Sequence, residues 1–265
     1  MSTKTASTSI QVIDRAVHLL DVITQADEPV SLKILSAETS LHPSTAHRIL
    51  AALGEHGLIE RNEIGHYRLG AKLLSLASRV EQRVDLKREA LPVMEWLRGE
   101  LGETVNLTVR DGDEVVYVER ASSHKMIRVE QVIGGHAPLH VTAVGKLFLA
   151  HDGQTACLAY AQRTGLPGYT AKTLTDPLQL WQAARQSREQ GYALDNEEAE
   201  LGVGCIGAPV FDAGGVMVAG LSVSAPIQRR RDEWIPLVIA AADRLSARLG
   251  YSRGNGPNEK LRHQW

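Results

Sequence analysis

The sequence predicts an α+β chain of two domains, and three observations support this fold class. Its 265 residues exceed the usual length of one domain, and 43% hydrophobic with 23% charged residues is an ordinary globular composition. Apolar residues recur at helical spacing in the first third of the chain. After Gly102 the pattern changes to alternating strands, interrupted by helices. We therefore expect a small helical domain followed by a larger domain built on an antiparallel sheet.

Three helices are predicted at the start of the chain. Apolar residues repeat every three or four positions over 10–23 and indicate the first helix. Ser31 is a candidate N-cap of a short second helix. Pro43 suits the first position of a third helix, because the N–H that proline lacks would be unpaired there anyway. Gly54 and Gly57 are expected to end this third helix.

Two β-prone runs, 58–61 and 66–69, follow the third helix, with Gly65 in the turn between them. Three helices and a hairpin form the order of a winged helix-turn-helix, predicted over 10–70. A helical linker is predicted over 71–85, where the periodic pattern reaches about residue 83. The larger domain is predicted over 86–251, and a flexible polar tail over 252–265.

The third helix is the candidate recognition helix, since its outward face carries small donors and one guanidinium. The residues of that face are Ser44, Thr45, His47 and Arg48. Arg48 can bond guanine in two places or hold a phosphate, and hydroxyls can bond either base or backbone. A solvated face on a small helical bundle is the alternative. Metal binding by the four histidines of this region, His42, His47, His56 and His66, is a weaker one.

Charge alone does not indicate nucleic-acid binding. The formal net charge is −2, and between residues 42 and 72 four Lys or Arg stand against three Glu. A phosphate-binding surface normally shows a basic excess. The interpretation as a DNA-binding domain therefore depends on the order of its elements.

The C-terminal half alternates strands and helices. Strands are predicted at 104–110, 114–120, 127–132, 207–211 and 216–224. Helices are predicted at 86–101, 143–150, 156–161 and 177–190, and around the apolar positions from Trp234 to Leu249. The three arginines 229–231 are expected to be a solvated helix entrance.

Two C-terminal segments, 138–146 and 191–206, carry candidate site residues. Thr142 can cap a helix whose first N–H groups would bind an anion such as a carboxylate. Cys205, His140 and Asp195 could instead form a nucleophilic triad, although such residue types are often scattered by chance. The Gly145-Lys146 pair lacks the spacing of a phosphate-binding loop.

Other classes of function receive no support from the sequence. The two cysteines, Cys157 and Cys205, lie outside any CxxC spacing, so neither a disulfide framework nor a zinc site is expected. No signal peptide and no apolar run of membrane-spanning length is visible. We therefore expect a soluble cytoplasmic protein without a cofactor or metal.

The motifs of the first domain resemble the DNA-binding half of IclR-type transcriptional regulators. The resemblance lies in residues 13–17, 40–50 and 65–70. It implies that Ser44, Thr45, His47 and Arg48, with Arg68 of the hairpin, contact DNA. Its further implications are a palindromic operator and a homodimer or dimer of dimers. It makes the chain a regulator and not an enzyme.

The two C-terminal segments resemble the effector-binding domain of the same family, which has a GAF-like fold. The resemblance places a small-molecule pocket at Ala143, Val144, Asp195, Cys205, Ser222 and Ser224. Arg128, His140 and Thr142 are possible further contacts. A small organic acid, aliphatic or aromatic, is the implied effector. A hydrolase using Cys205 and a winged-helix protein-interaction module are the alternatives.

Overall fold

The computed structural model describes residues 11–81 and 85–252, and only the backbone of 77–81. The chain divides between residues 84 and 85 into two compact units. Residues 253–265 of the predicted tail and residues 82–84 of the predicted linker lie outside the described residues. The described ranges contain no helix that is both long and apolar enough to cross a membrane.

The N-terminal unit contains three helices, a hairpin and a further helix. The elements are α1 (Gln11–Thr24), α2 (Leu32–Glu38), α3 (Pro43–Glu55), β1 (Ile59–Arg61), β2 (Tyr67–Leu69) and α4 (Lys72–Glu81). Ser31 caps α2 as predicted, because its hydroxyl accepts a hydrogen bond from the N–H of Ile34. Val30 and Tyr67 exchange both backbone hydrogen bonds at 2.8 Å, which attaches the hairpin to the helices.

A small apolar core holds this unit together. It contains Leu19, Ile23, Val30, Leu35, Ala46, Ile49, Leu50, Leu53, Ile59 and Tyr67. The turn between α2 and α3 places Ser40 in the left-handed region at φ 53°. Contrary to the sequence-based prediction, Gly54 lies inside α3 and does not end it. The helix ends at Glu55, and Gly57 follows with φ 70°.

The C-terminal unit is an α+β fold around one six-stranded sheet. Its helices are α5 (Leu86–Leu101), α6 (Ala143–Asp152), α7 (Gln154–Thr164), α8 (Pro177–Gln190) and α9 (Ile235–Arg248). Its strands are β3 (Thr104–Asp111), β4 (Glu114–Ala121), β5 (His136–Pro138), β6 (Ala193–Asn196), β7 (Val203–Phe211) and β8 (Met217–Pro226). The strands lie in the order β5-β4-β3-β8-β7-β6, and every neighbouring pair is antiparallel.

The two faces of the sheet differ in chemistry. One face packs its apolar side chains against α5 and α9. The other carries polar side chains, and α6 lies against it over β7 and β8. Gly207 and Gly220 permit that close approach: a Cβ at Gly220 would lie 2.2 Å from Val144 Cγ1, and one at Gly207 3.2 Å from Ala143 Cβ. The glycines of β7 and β8 thus leave room for the start of α6 against this face of the sheet.

Two sequence-based predictions in this unit are wrong, and one strand was missed. Residues 127–132 form no strand; their apolar side chains are exposed, and the third strand is β5, after the turn at Gly134. Strand β6 was not predicted, because its four residues are too few for a clear period. The arginines are not simply solvated, since Arg229 bonds the buried carboxylate of Glu103 at 2.8 and 2.9 Å.

Candidate functional site

The outward face of α3 is exposed as the helical period predicts. Ala46 and Ile49 are buried below it, while Ser44, His47 and Arg48 are exposed. Thr45 is half-buried in the first turn. The face therefore presents hydroxyl, imidazole and guanidinium groups along one side of a helix that begins at a proline.

The start of α3 is capped by a residue that sequence reasoning missed. The ring Nδ1 of His42 accepts a 3.4 Å hydrogen bond from Ser44 N and lies 2.8 Å from Ser44 Oγ. With Nδ1 as an acceptor, the Ser44 hydroxyl is the donor in this contact. Histidine is not among the preferred N-cap residues. Its position directly before Pro43 was therefore the only sequence signal that it caps α3.

Arg68 on the hairpin pairs with Glu60 of the neighbouring strand. Its Nε and Nη2 donate to the same Glu60 oxygen at 3.0 and 2.7 Å. Arg61 is held next to it, since its Nε donates to Gly65 O and its guanidinium lies over the Tyr67 ring. The hairpin thus carries two guanidinium groups that are oriented on its surface.

A cavity lies between the polar face of the sheet and the start of α6. Its lining includes all six residues that the resemblance implied, Ala143, Val144, Asp195, Cys205, Ser222 and Ser224, together with Thr142. The other lining residues are Thr108, Val115, Tyr117, Gln131, Ala137, Ala199, Glu200 and Val203. Strand register explains part of the grouping, because Asp195 pairs with Cys205 and Cys205 with Ser224.

The cavity is small. The centre of a water-sized sphere can occupy about 70 Å³ of it. At the ~10–15 Å³ that one ordered water needs, this is space for roughly five waters. A ligand of a few carbon atoms or a single ring therefore fits the cavity more readily than an extended molecule.

A row of hydrogen bonds crosses the cavity wall. Cys205 Sγ lies 3.3 Å from Ser224 Oγ, which accepts a 3.1 Å hydrogen bond from Asn106 Nδ2. The same Nδ2 donates to Gln131 Oε1 at 3.2 Å. Asp195 Oδ1, at the other end of the row, accepts from Glu198 N at 2.8 Å.

Burial changes the acidity of this row. It raises the pKa of Asp195 from 3.8 to about 6, although hydrogen bonds from the Glu198 and Ala199 amides oppose the rise. Burial also raises the pKa of the Cys205 thiol, and the carboxylate of Asp195 adds to that rise. The pKa of Tyr117 is raised for the same two reasons, burial first and the nearby acidic groups second. The thiol is therefore neutral at ordinary pH.

The start of α6 supplies backbone donors to the cavity. Thr142 caps the helix as predicted, its Oγ1 accepting a 3.0 Å hydrogen bond from Gly145 N. Because the cap uses the Gly145 amide, that N–H is not available to a ligand. In the part of the chain that the structure describes, the amides of Ala143 and Val144 have no hydrogen-bond partner. Two N–H groups thus remain for a ligand.

Comparisons with known proteins identify the family. A family model for the IclR helix-turn-helix domain matches residues 12–63. A second, for the C-terminal domain of bacterial IclR transcriptional regulators, matches residues 78–247. The chain belongs to the IclR family. The IclR assignment covers both units and makes the chain a DNA-binding transcriptional regulator with an effector-binding C-terminal domain.

Individual IclR proteins agree with this assignment. The transcriptional repressor IclR of Escherichia coli is 32% identical over 260 residues, which covers 96% of this chain and 95% of that protein. The crystal structure of an IclR regulator from a Silicibacter species matches with a TM-score of 0.83 at 25% identity, covering 91% of this chain and 96% of that one. An IclR homologue from Microbacterium hydrocarbonoxydans, solved with 4-hydroxybenzoate, has a TM-score of 0.60 at 27% identity and covers 91% and 100%.

Two of the possible effector contacts lie away from the IclR-type cavity. His140 is buried elsewhere, where its Nδ1 lies 2.8 Å from the Tyr160 hydroxyl and its Nε2 3.0 Å from Pro167 O. Arg128 is exposed and pairs with Glu130. The structure therefore does not bring His140 to Cys205. A nucleophilic triad lacks its base, and the raised thiol pKa also argues against it.

Among the residues at or near the IclR-type cavity that sequence reasoning missed, Asn106, Tyr117 and Gln131 carry hydrogen-bonding groups. Asn106 and Tyr117 lie on strands, where alternation indicates only which face of the sheet a residue lies on. Gln131 lies within the segment 127–132, which was wrongly predicted to be a strand. The described residues contain no group of three or more metal-ligating side chains, so the histidines near α3 do not assemble into a metal site there.

Proposed function

We propose that this IclR-family regulator binds a palindromic operator as a homodimer or a dimer of dimers, and that a small organic acid in the cavity modulates that binding. The exposed face of α3 supports the DNA part, and the cavity with its unpaired amides supports the effector part. A symmetric operator follows from a symmetric dimer. Because the operator is chromosomal, we place the regulator in the cytoplasm.

The DNA contacts are assigned from the chemistry of the exposed groups. Arg48 is long enough to donate two hydrogen bonds to a guanine edge. Ser44, Thr45 and His47 lie along the same face and complete the predicted reading surface. Arg68 on the hairpin is assigned to a phosphate, because its pairing with Glu60 is exposed and can be exchanged.

An organic acid fits the distribution of donors in the cavity. Among the lining residues none is Lys or Arg, whereas Asp195 and Glu200 are acidic. A carboxylate would therefore bind the amides of Ala143 and Val144 at the positive end of α6. The 4-hydroxybenzoate bound by the Microbacterium homologue has such a group. A hydroxyl elsewhere on the ligand would meet Asp195.

Regulation follows if the acid binds one arrangement of the regulator more tightly than another. The ligand then shifts the population toward that arrangement, and operator affinity changes with it. By linkage, DNA changes the affinity for the acid by the same factor. Both effects are measurable on the full chain.

Operator binding is tested with the Arg48→Ala variant. We expect the wild type to retard DNA from upstream of its own gene, with affinity that falls steeply as salt rises. Arg48→Ala should weaken binding by about 10- to 100-fold, the loss expected for one bidentate base contact. Arg185→Ala, which removes an exposed arginine of α8, is the matched control and should bind normally. Equal retardation by wild type and Arg48→Ala would contradict the assignment of Arg48, and no retardation by the wild type would favour a protein-interaction module.

Effector binding is tested by a thermal-shift screen of the full chain. The panel contains 4-hydroxybenzoate, benzoate, lactate, pyruvate and glyoxylate. An acid at 100 times its Kd should stabilise the protein by about 2.7 kcal/mol. Val144→Trp should abolish the shift by filling the cavity. A panel without any stabilising acid would contradict the effector class and leave the DNA assignment intact.

A further inference from the structure

We infer that Asn106 is a positioning residue that makes Gln131 and Ser224 hydrogen-bond donors toward the effector, so that this wall of the cavity selects ligands with an acceptor oxygen. The inference rests on the proposed effector function and deepens it. None of the three positions is charged. Their selectivity would come entirely from the direction of their hydrogen bonds.

Asn106 lies behind the cavity and is completely buried on β3. Its Nδ2 makes two hydrogen bonds, to Ser224 Oγ at 3.1 Å and to Gln131 Oε1 at 3.2 Å. Its Oδ1 has no hydrogen-bond partner. One amide nitrogen thus connects two residues that line the cavity on opposite sides of β3.

The direction of these bonds follows from the cost of the alternative. If the Asn106 amide were turned over, its oxygen would face Ser224 and Gln131. The NH₂ group would then be buried without partners. Two N–H donors would then be unpaired in place of one carbonyl oxygen. This is less favourable, because buried N–H groups without a hydrogen-bond partner are rarer in proteins and cost more free energy than such carbonyl oxygens. The orientation with Nδ2 as the shared donor is therefore favoured.

This orientation determines what the cavity offers. Gln131 gives its oxygen to Asn106, so its Nε2 is the amide atom left for a ligand. Ser224 accepts from Asn106, so its hydroxyl proton is directed to Cys205 or to a ligand. Strand pairing places Asp195 beside Cys205, at the other end of the row. The row therefore runs from donors at the Gln131 end to an acceptor at Asp195.

A ligand matched to this row has an oxygen acceptor at one end and a hydroxyl at the other. A carboxylate can be shared, because its two oxygens offer about four acceptor positions. The chemical class is a hydroxy acid or the hydrate of an oxo acid. A diol of the same shape offers Gln131 and Ser224 only a neutral hydroxyl oxygen, which is a weaker acceptor than a carboxylate and carries a proton that needs its own acceptor.

The test compares each acid with the alcohol of the same skeleton. The pairs are 4-hydroxybenzoate with 4-hydroxybenzyl alcohol, and lactate with propane-1,2-diol, titrated calorimetrically into the full chain. Asn106→Asp replaces the shared donor by an acceptor, which turns both neighbours the other way. We expect the preference for the acid over the alcohol to fall by about tenfold or more, the loss expected for one hydrogen bond to a charged group.

Gln131→Met keeps the inference testable if a buried carboxylate at position 106 prevents folding. Gln131 is only half-buried, so the chain should fold without its amide. The same tenfold loss of acid preference is expected. Gln179→Met, on the exposed side of α8, is the matched control and should keep the wild-type ratio.

Three outcomes are distinguishable. A loss of acid preference in Asn106→Asp or Gln131→Met, with wild-type behaviour of Gln179→Met, supports the inference. An equal loss of affinity for acid and alcohol means that Asn106 only maintains the shape of the cavity, and overturns it. A wild type that binds neither acid of the two pairs overturns the proposed effector class itself.

Discussion

One ion pair from each unit of this regulator shows two opposite uses of charge. In the N-terminal unit Arg68 and Glu60 pair on the surface, with side chains 63% and 43% exposed. In the C-terminal unit Lys146 and Glu198 pair at 2.5 Å, with side chains only 4% and 8% exposed. An exposed pair is weakened by water and salt, so its partners can be exchanged for others. A buried pair has lost its hydration and must stay closed.

The difference in exposure distinguishes charges that can bind a partner molecule from charges that stabilise the fold. Arg48 and Arg68 are exposed on the DNA-binding unit. The buried pair instead fixes the wall of the cavity, because Glu198 also donates its N–H to Asp195 and accepts a hydrogen bond from Thr173 Oγ1 at 2.7 Å. The cavity is left with neutral polar groups and two carboxyls, those of Glu200 and of Asp195 with its raised pKa.

The largest expected effect is the loss of the buried partner. Lys146→Met leaves the Glu198 carboxylate buried and uncompensated, which should lower the free energy of unfolding by about 3–5 kcal/mol. Urea unfolding monitored by far-UV circular dichroism, which reports on the helices of both units, measures it. Arg68→Met, which breaks the exposed pair, should leave stability almost unchanged. If Lys146→Met and Arg68→Met had equally small effects, the contrast between the two units would be wrong.

The next effect is a pH dependence at Asp195. A carboxyl whose pKa rises from 3.8 unfolded to about 6 folded binds more protons in the native state. Stability therefore falls as pH rises between these two values and is constant above them. At 1.36 kcal/mol per pKa unit the fall is about 3 kcal/mol. Asp195→Asn can still accept the Glu198 N–H but does not titrate.

We therefore expect the stability of Asp195→Asn relative to wild type to increase from pH 4 to pH 6.5, then level off. Urea unfolding of both proteins across this pH range gives the difference between their free energies of unfolding. The contributions of the other titrating groups cancel in this difference. A pH-independent difference would mean that folding leaves the pKa of Asp195 near its ordinary value of 3.8, in spite of its burial.

The smallest effect concerns the N-terminal unit alone. Ser31→Ala removes the side-chain acceptor at the start of α2, which should cost about 1 kcal/mol. The wild-type bond is long, at 3.4 Å, and exposed. Ser31→Asp should restore the cap. Operator affinity, measured with protein in excess over DNA, should be the same for both variants as for the wild type. If Ser31→Asp were destabilised as much as Ser31→Ala, the loss in Ser31→Ala would not come from the missing side-chain acceptor.

The sequence predicted the two units with unequal success. The helices of the N-terminal unit follow local signals, such as the periodic apolar residues of α1 and the proline at the start of α3. The sheet of the C-terminal unit depends on pairing between distant residues. Strand β8 lies between β3 and β7, with Val105 opposite Val223, which no local pattern reveals. The short strand β6 and the irregular segment 127–132 were misread for that reason.

The cavity residues show the same limit. Ala143 and Asp195 were reached through resemblance to a known family, which carries long-range information that spacing lacks. Asn106, Tyr117 and Gln131 belong to no such motif, and only the folded sheet brings them together. A bulge between Leu107 and Thr108 also shifts the register of β3 with β4, so counting along the strands would have misplaced Tyr117.

Gly207 and Gly220 determine the depth of the cavity, because only hydrogen atoms separate the sheet from the start of α6 at these positions. The spacing between helix and sheet is thus set by backbone, whereas the hydrogen-bonding groups lie on other residues. Ligand size and ligand polarity can therefore diverge independently in relatives of this chain. A side chain at Gly220 would overlap Val144 and displace the start of α6, so the size of the cavity can change at a position that itself offers no side-chain hydrogen bond to a ligand.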